Sequence, residues 1–64
     1  MIKINGENLD MDEICLQDYL DRQGYTTGRI AVECNEVIVP KSRYAEFILH
    51  SGDVVEIVSF VGGG

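Results

Sequence analysis

The sequence predicts an α+β domain in which one helix covers one face of a mixed β-sheet. Residues 1–5 alternate apolar and polar, and residues 54–60 form an apolar run, and both patterns are typical of strands. Between them lies one stripe with helical spacing, at Leu16, Tyr19, Leu20 and Gln23. The chain of 64 residues is long enough for one domain, and no repeat or internal linker divides it.

The N-terminal half is predicted to form a hairpin followed by the helix. Asn5–Gly6 favours a two-residue turn, after which a second strand returns antiparallel through Leu9–Met11. We expect the helix over Ile14–Gln23, with Asp12 as the better capping candidate. Gly24 then stops the helix, because glycine adopts the left-handed conformation of a C-terminal cap without strain.

The C-terminal half is predicted to supply three more strands. Arg29–Cys34 alternates as a third strand, and a turn leads into a fourth at Val37–Val39. Pro40 cannot donate a ladder hydrogen bond, so the fourth strand should be short and at an edge. Ser42 is a good N-cap for a helical turn over residues 43–46. The last strand, from Val54 to about Phe60, should lie beside the first at the centre of the sheet.

Composition argues against several classes of function. Five basic and eleven acidic residues give a net charge of −6, which disfavours nucleic acids and anionic membrane surfaces as partners. A chain this small has few residues with which to enclose a small-molecule pocket, which typically has a volume of roughly 300–1,000 Å³. No signal peptide or membrane-length apolar run is present, so we expect a cytoplasmic protein, monomeric on its own.

No catalytic or metal-binding pattern is found along the chain. Cys15 and Cys34 are not in a CxxC arrangement, and Cys34 fits a small core residue; a disulfide between them stays open. His50, the single histidine, has no metal-ligand pattern around it and is interpreted as a loop residue. We therefore expect a protein that is not an enzyme and binds no cofactor or metal.

The sequence ends in three glycines directly after the last predicted strand. Glycine offers no side chain to bury and loses the most backbone entropy on ordering, so Gly62 and Gly63 make a thin strap. The predicted organisation is a domain over residues 1–60 and a flexible tail over residues 61–64. The terminal carboxylate of Gly64 is the leading candidate for the chemical centre.

Several motifs together resemble the sulfur carrier family of thiamine biosynthesis, the ThiS family, which has a ubiquitin-like β-grasp fold. They are the order of the elements, the segments Ile38–Ser42 and Gly52–Val58, and the terminal glycine pair Gly63–Gly64. The resemblance covers the whole chain. It implies an α+β β-grasp fold with a mixed sheet of about five strands, one main helix on one face and a short helical turn.

The resemblance also implies a reaction cycle carried on Gly64. An E1-like adenylyltransferase, using ATP and magnesium, adenylates the carboxylate, and a persulfide from a cysteine desulfurase system replaces AMP. The resulting thiocarboxylate donates its sulfur to thiazole synthase. In this cycle the carrier contributes no acid, base or metal of its own.

A docking patch for partners is predicted beside the tail. Glu56 is polar, so its neighbours in the last strand face the helix, and Val58 and Phe60 fall on the open side of the sheet, followed by Val61. We expect Glu33 and Glu56 to form an acidic rim that helps docking. The alternative is that single exposed apolar residues have no role and that the charges only solvate the surface.

Three other functions stay open at this point. The small sulfur-carrying subunit of molybdopterin synthase has a similar fold and tail, although that family usually carries a longer central insertion. A ubiquitin-like modifier would join Gly64 to lysines of target proteins. A plain β-grasp interaction module would use its sheet alone.

Overall fold

The computed structural model describes residues 1–60, which form a five-stranded mixed sheet, a two-stranded sheet and one α-helix. In chain order the elements are β1 Ile2–Ile4, β2 Glu7–Leu9, β3 Glu13–Cys15, α1 Leu16–Gln23, β4 Ile30–Cys34, β5 Val37–Val39, β6 Ile48–His50 and β7 Val54–Ser59. The main sheet has the order β2-β1-β7-β4-β5, in which β1 and β7 are parallel and the other pairs antiparallel. The predicted fold, the central pairing of first and last strands, and the edge position of β5 before Pro40 are all confirmed.

Helix α1 begins at Leu16, two residues later than predicted, and Asp12 does not cap it. The residue before the helix, Cys15, is extended, with φ −65° and ψ 132°, and makes no side-chain cap. Backbone carbonyls from the loop before β6 accept the first helical N–H groups: the Leu16 amide donates to Phe47 at 2.8 Å, and the Gln17 amide to Tyr44 at 3.1 Å. A capping side chain is unnecessary because tertiary contacts satisfy these donors.

A small second sheet was not predicted. Strands β3 and β6 pair antiparallel, with Glu13 opposite His50 and Cys15 opposite Ile48. The interpretation of His50 as a loop residue is therefore wrong, and its Nε2 lies 3.6 Å from a carboxylate oxygen of Glu13. β3 and β6 are three residues long and carry too little alternation to be recognised here, and they form because each supplies the other's hydrogen bonds.

Two short 3₁₀ turns connect the strands. One covers Thr27–Arg29, so the strand predicted from Arg29 begins at Ile30, and the other covers Lys41–Arg43. The second begins before Ser42, so Ser42 is not its N-cap; Pro40 occupies that position and makes no side-chain cap. The turn places Tyr44 in the core, where its side chain is 1% exposed.

The core lies between α1 and one face of the main sheet. Its buried residues are Ile2, Ile4, Ile14, Leu16, Leu20, Ile30, Val32, Cys34, Val39, Tyr44, Leu49, Val55 and Ile57. Cys34 is buried and Cys15 half-buried, and both are free thiols. Burial first, and then the carboxylate of Asp53, raise the pKa of the Cys34 thiol. None of the helices described for residues 1–60 has the length and apolar content needed to cross a lipid bilayer.

The turn between β4 and β5 is pinned to the start of β7. Asn35 and Glu36 both have positive φ, 53° and 69°, as a tight two-residue hairpin requires. The Asn35 amide nitrogen donates to Asp53 at 3.0 Å, and its amide oxygen accepts from the Val54 N–H at 2.9 Å. Asp53 also accepts from the His50 N–H at 2.8 Å. The burial of Asp53 acts to raise its pKa, but these hydrogen bonds outweigh it and the pKa is lowered.

Replacing Asp53 by asparagine should destabilise the domain at neutral pH by about 1 kcal/mol, because charge-assisted hydrogen bonds are lost at a partly exposed site. The contribution of Asp53 is present above the unfolded-state pKa near 3.8 and is lost as pH falls through the lower folded-state value. The difference in unfolding free energy between wild type and D53N, measured in urea at pH 7 and pH 3, should therefore shrink on acidification.

Asp10→Asn is the matched control, because Asp10 is exposed and makes no side-chain hydrogen bond among residues 1–60. If the loss of unfolding free energy in D53N were the same at pH 7 and pH 3, the stabilisation could not come from the ionised carboxylate of Asp53.

Candidate functional site

Strand β7 positions the candidate site, because it leads directly to the glycine-rich end of the chain. It is the central strand of the main sheet and pairs with β1 on one side and β4 on the other. Val55 and Ile57 point into the core and are 0% and 7% exposed. After the strand, the Phe60 N–H still donates to the Arg29 carbonyl at 2.7 Å. The backbone is thus held in place as far as residue 60.

The side chain of Asn5 extends the pairing of β1 with β7. Its amide oxygen accepts from the Ile57 N–H at 2.8 Å, and its amide nitrogen donates to the Ile57 carbonyl at 3.2 Å. The Asn5 N–H donates to Val55 at 2.9 Å, and Asn5 has a φ of 51°. Asparagine tolerates this left-handed conformation better than most residues. The sequence identified Asn5 only as a turn residue, since its second role depends on a contact fifty-two positions away.

The face of the main sheet opposite the helix carries exposed and half-buried side chains that we call the open face. Placed by strand register, its members are Asn8 on β2, Lys3 on β1, Ala31 and Glu33 on β4, Ile38 on β5, and Val54, Glu56 and Val58 on β7. Val58 is 59% exposed, in agreement with the predicted alternation, and Ile38 and Val54 are 65% and 47% exposed. The last two were missed, because only the register shows that they share this face.

Glu33 and Glu56 lie directly opposite each other across β4 and β7. Both carboxylates lie within the open face, between Ile38 on one side and Val58 along the strand, and their role in docking stays a prediction. Neither takes part in the ion pairs found among residues 1–60, which join Arg43 to Glu46 and His50 to Glu13. Like charges at directly opposed positions destabilise a sheet.

Phe60 lies at the end of the open face and is 48% exposed. The ammonium nitrogen of Lys41 is 6.0 Å from the centre of its ring, within the range of a cation–π contact. Val61, Gly62, Gly63 and Gly64 fall outside the described residues, so their predicted roles as docking residue, strap and attachment point stay predictions.

Two further observations describe the polar groups of residues 1–60. Among residues 1–60, no group of three or more His, Cys, Asp or Glu side chains is placed to hold a metal ion. Every buried side-chain nitrogen and oxygen in this part of the chain has a hydrogen-bond partner, so none is left pointing into an empty site.

Comparison with known proteins identifies the family. The sequence matches the ThiS family over residues 1–64. The chain belongs to the ThiS family. The sulfur carrier protein ThiS of Bacillus subtilis is 39% identical over 66 residues, a match that covers all of both chains. The crystal structure of the thiamine biosynthesis protein ThiS from Geobacter metallireducens superposes with a TM-score of 0.77 at 22% identity and covers 98% of this chain and 97% of that one. The β-grasp fold is thereby confirmed.

Larger proteins also contain a segment similar to this ThiS-family chain. The thiazole synthase of Paramagnetospirillum magneticum is 42% identical over 62 residues, which is 95% of this chain and 19% of that protein. This chain thus spans about a fifth of the length of that relative.

Replacing Asn5 by alanine should cost about 2 kcal/mol of unfolding free energy, because two hydrogen bonds to Ile57 are lost and a left-handed residue becomes strained. Asn5→Gly should cost roughly half as much, since glycine removes the hydrogen bonds without the strain. Urea unfolding measures both variants. Hydrogen exchange at the Ile57 amide should accelerate in each of them.

Asn8→Ala provides the control, because Asn8 is exposed on β2 and should change stability little. Equal stability of N5A and wild type would show that the hydrogen bonds between Asn5 and Ile57 do not stabilise the pairing of β7 with β1.

Proposed function

We propose that this protein is the sulfur carrier for thiazole formation in thiamine biosynthesis and that the carboxylate of Gly64 is its working group. The observation that carries the proposal is that the central, doubly paired strand of a ThiS-family domain leads, within one residue of its last pinned amide, into a glycine-rich end. An extended four-residue segment spans at most about 13 Å, enough to reach a slot in a partner enzyme.

The chemistry requires activation, because a carboxylate resists attack by nucleophiles. An E1-like adenylyltransferase joins the Gly64 carboxylate to the α-phosphate of ATP and releases pyrophosphate, with magnesium held by that enzyme. The terminal sulfur of a persulfide then attacks the acyl carbon and AMP leaves. The product is an acyl disulfide, which keeps the S–S bond of the persulfide. A thiol attacks the donor's sulfur in that bond, forms a disulfide with the donor and releases the thiocarboxylate, whose sulfur is a good nucleophile near neutral pH, as thiolates are.

In this scheme the protein supplies positioning and no catalytic group. The matches to proteins named thiazole synthase favour that enzyme as the acceptor over a molybdopterin-synthase subunit. Its other partners are the adenylyltransferase and a cysteine desulfurase system, and its compartment is the cytoplasm. The open face, together with Phe60 and Val61, is the proposed docking surface.

Replacing Gly63 by alanine should slow adenylation by at least about tenfold and leave folding intact, because a methyl group widens the strap that enters the partner's slot. The measurement is pyrophosphate release with a purified E1-like enzyme and ATP, followed by intact mass spectrometry after a sulfur source is added. Thermal unfolding of the variant serves as the folding check.

Wild-type protein should gain the mass difference of one sulfur for one oxygen on its C-terminal peptide. Persistent absence of that gain would refute the sulfur-carrier proposal in favour of a plain interaction module, and conjugates of higher mass in cell extracts would favour a protein modifier. A wild-type rate for G63A would refute the narrow-slot argument alone.

Neutralising either Glu33 or Glu56 should have opposite effects on the stability of the free protein and on its affinity for a partner. Glu33→Gln or Glu56→Gln should stabilise the free protein by about 0.5 kcal/mol, because like-charge repulsion across the strands is relieved. The same variants should bind the adenylyltransferase roughly tenfold more weakly if a basic partner group lies between the carboxylates. Urea unfolding and titration calorimetry measure the two effects.

Glu7→Gln is the matched control, since Glu7 is an exposed glutamate on edge strand β2, away from this pair. Higher stability with unchanged affinity would show that the two carboxylates only solvate the open face.

A further inference from the structure

The two edge strands of the main sheet differ in chemistry. β2 presents Glu7 and Asn8, a charged and a polar residue that discourage pairing. β5 is entirely apolar, and its Val37 and Ile38 are 67% and 65% exposed, more than any other large apolar residue among residues 1–60. An exposed apolar edge is a surface on which a further strand can add.

The turn geometry determines which backbone groups of β5 face outward. The two-residue turn at Asn35 and Glu36 makes Cys34 and Val37 a directly bonded pair, so the polar backbone groups of Val37 point toward β4. Ile38, the next residue, then directs its N–H and carbonyl away from the sheet. Pro40 adds little to this edge, because its carbonyl already accepts from the Arg43 N–H at 2.9 Å and it has no N–H of its own.

A pocket of about 230 Å³ lies against this edge. It is lined mainly by apolar side chains, and its lining includes Cys34, Val37, Val39, Pro40, Phe47 and Arg43. Arg43 is the one charged residue in the lining, and its guanidinium is 3.7 Å from Glu46 with both side chains largely exposed. An exposed pair of this kind is weak and exchangeable, so Arg43 is available to another carboxylate.

We propose that β5 and this pocket form a docking site for an extended segment of a partner protein. The segment adds beside β5 as a sixth strand of the main sheet and bonds to the backbone of Ile38. One of its apolar side chains fills the pocket, and an acidic residue beyond it pairs with Arg43. This is β-strand addition, in which backbone hydrogen bonds supply affinity and a side-chain pocket supplies specificity.

Backbone geometry and charge both favour an extended, acidic segment as the occupant of this edge. Outward N–H and carbonyl groups on one strand are matched only by another extended backbone. Lys41 and Arg43 follow β5 after Pro40 and are two of the five basic residues in a chain of net charge −6, so the C-terminal end of β5 favours an acidic end of the added segment. The same net charge on each copy opposes pairing of this edge with a second molecule.

The site meets the proposed docking surface for sulfur transfer only at Ile38, whose backbone the added strand uses while its side chain belongs to the open face. A strand added beyond β5 lies at the edge of the main sheet and leaves Glu56 and Val58 on β7 uncovered. The inference therefore does not rest on the proposed function and can fail or succeed independently of it. The short strand and Pro40 restrict the contact to a few hydrogen bonds, which suits a weak and reversible partner.

The test uses the full ¹⁵N-labelled chain and a blocked seven-residue peptide that alternates valine with threonine and ends in two aspartates. Hydrogen exchange at the Ile38 amide should slow by roughly tenfold at a peptide concentration ten times its Kd. The Val37 and Val39 amides already lie in the ladder with β4 and should change much less. Slower exchange at the Ile38 amide, with little change at the Val37 and Val39 amides on either side, is the pattern expected only if a strand adds beside β5.

Two controls separate the backbone and charge contributions. A peptide with methylated backbone nitrogens on its β5-facing edge keeps the side chains and should lose binding. Changing its aspartates to asparagines should weaken binding by about threefold in wild type and leave it unchanged in Arg43→Gln. Arg22→Gln, which alters an exposed arginine on α1, should retain the threefold difference.

Three results would overturn the proposal. The first is no slowing of the Ile38 amide at millimolar peptide, and the second is equal binding of the methylated peptide. The third is slowing that rises with protein concentration when no peptide is present, which would show that the occupant of this edge is a second copy of the chain.

Discussion

The pairing of β7 with a strand on each side is the constraint on which the rest of this structure depends. β1 joins it in parallel and β4 antiparallel, and the core-facing Val55 and Ile57 bury their side chains in the core. A strand bonded on both edges can shift its register only by breaking both ladders. The direction in which the chain leaves the domain is therefore decided by the centre of the sheet, the most protected part of the fold.

Side chains reinforce this arrangement where the main-chain ladders end. Asn5 continues the β1 side of the pairing by bonding both polar backbone groups of Ile57. Asn35 and Asp53 lock the other end of β7 to the neighbouring hairpin. Three asparagine and aspartate side chains thus act as short pieces of strand backbone, which explains how a sheet of three- to six-residue strands holds its register.

The open face departs from the rules that the rest of the sheet follows. Opposed carboxylates at Glu33 and Glu56 lower stability, and the exposed Val54, Val58 and Ile38 add nothing to the core. Local conflict of this kind is typical of surfaces that are completed by a partner.

Much of the fold was predictable because its signals are local. The Asn5–Gly6 turn, the Gly24 stop and Pro40 at the edge each follow from backbone restrictions of a single residue. The start of α1 was not, because carbonyls of Tyr44 and Phe47 replace a capping side chain. Strands β3 and β6 were missed for a similar reason, since each is stable only in the presence of the other.

The sequence by itself determined the fold class, the family resemblance and the glycine-rich end, because alternation, turn residues and motifs are written in neighbouring positions. Only the tertiary structure decided that Glu33 opposes Glu56, that Asn5 holds Ile57, and that the apolar edge of β5 adjoins a pocket with Arg43. These are relations between residues far apart in the chain. They follow from strand register, which is set by the packing of the whole core and which no local pattern encodes.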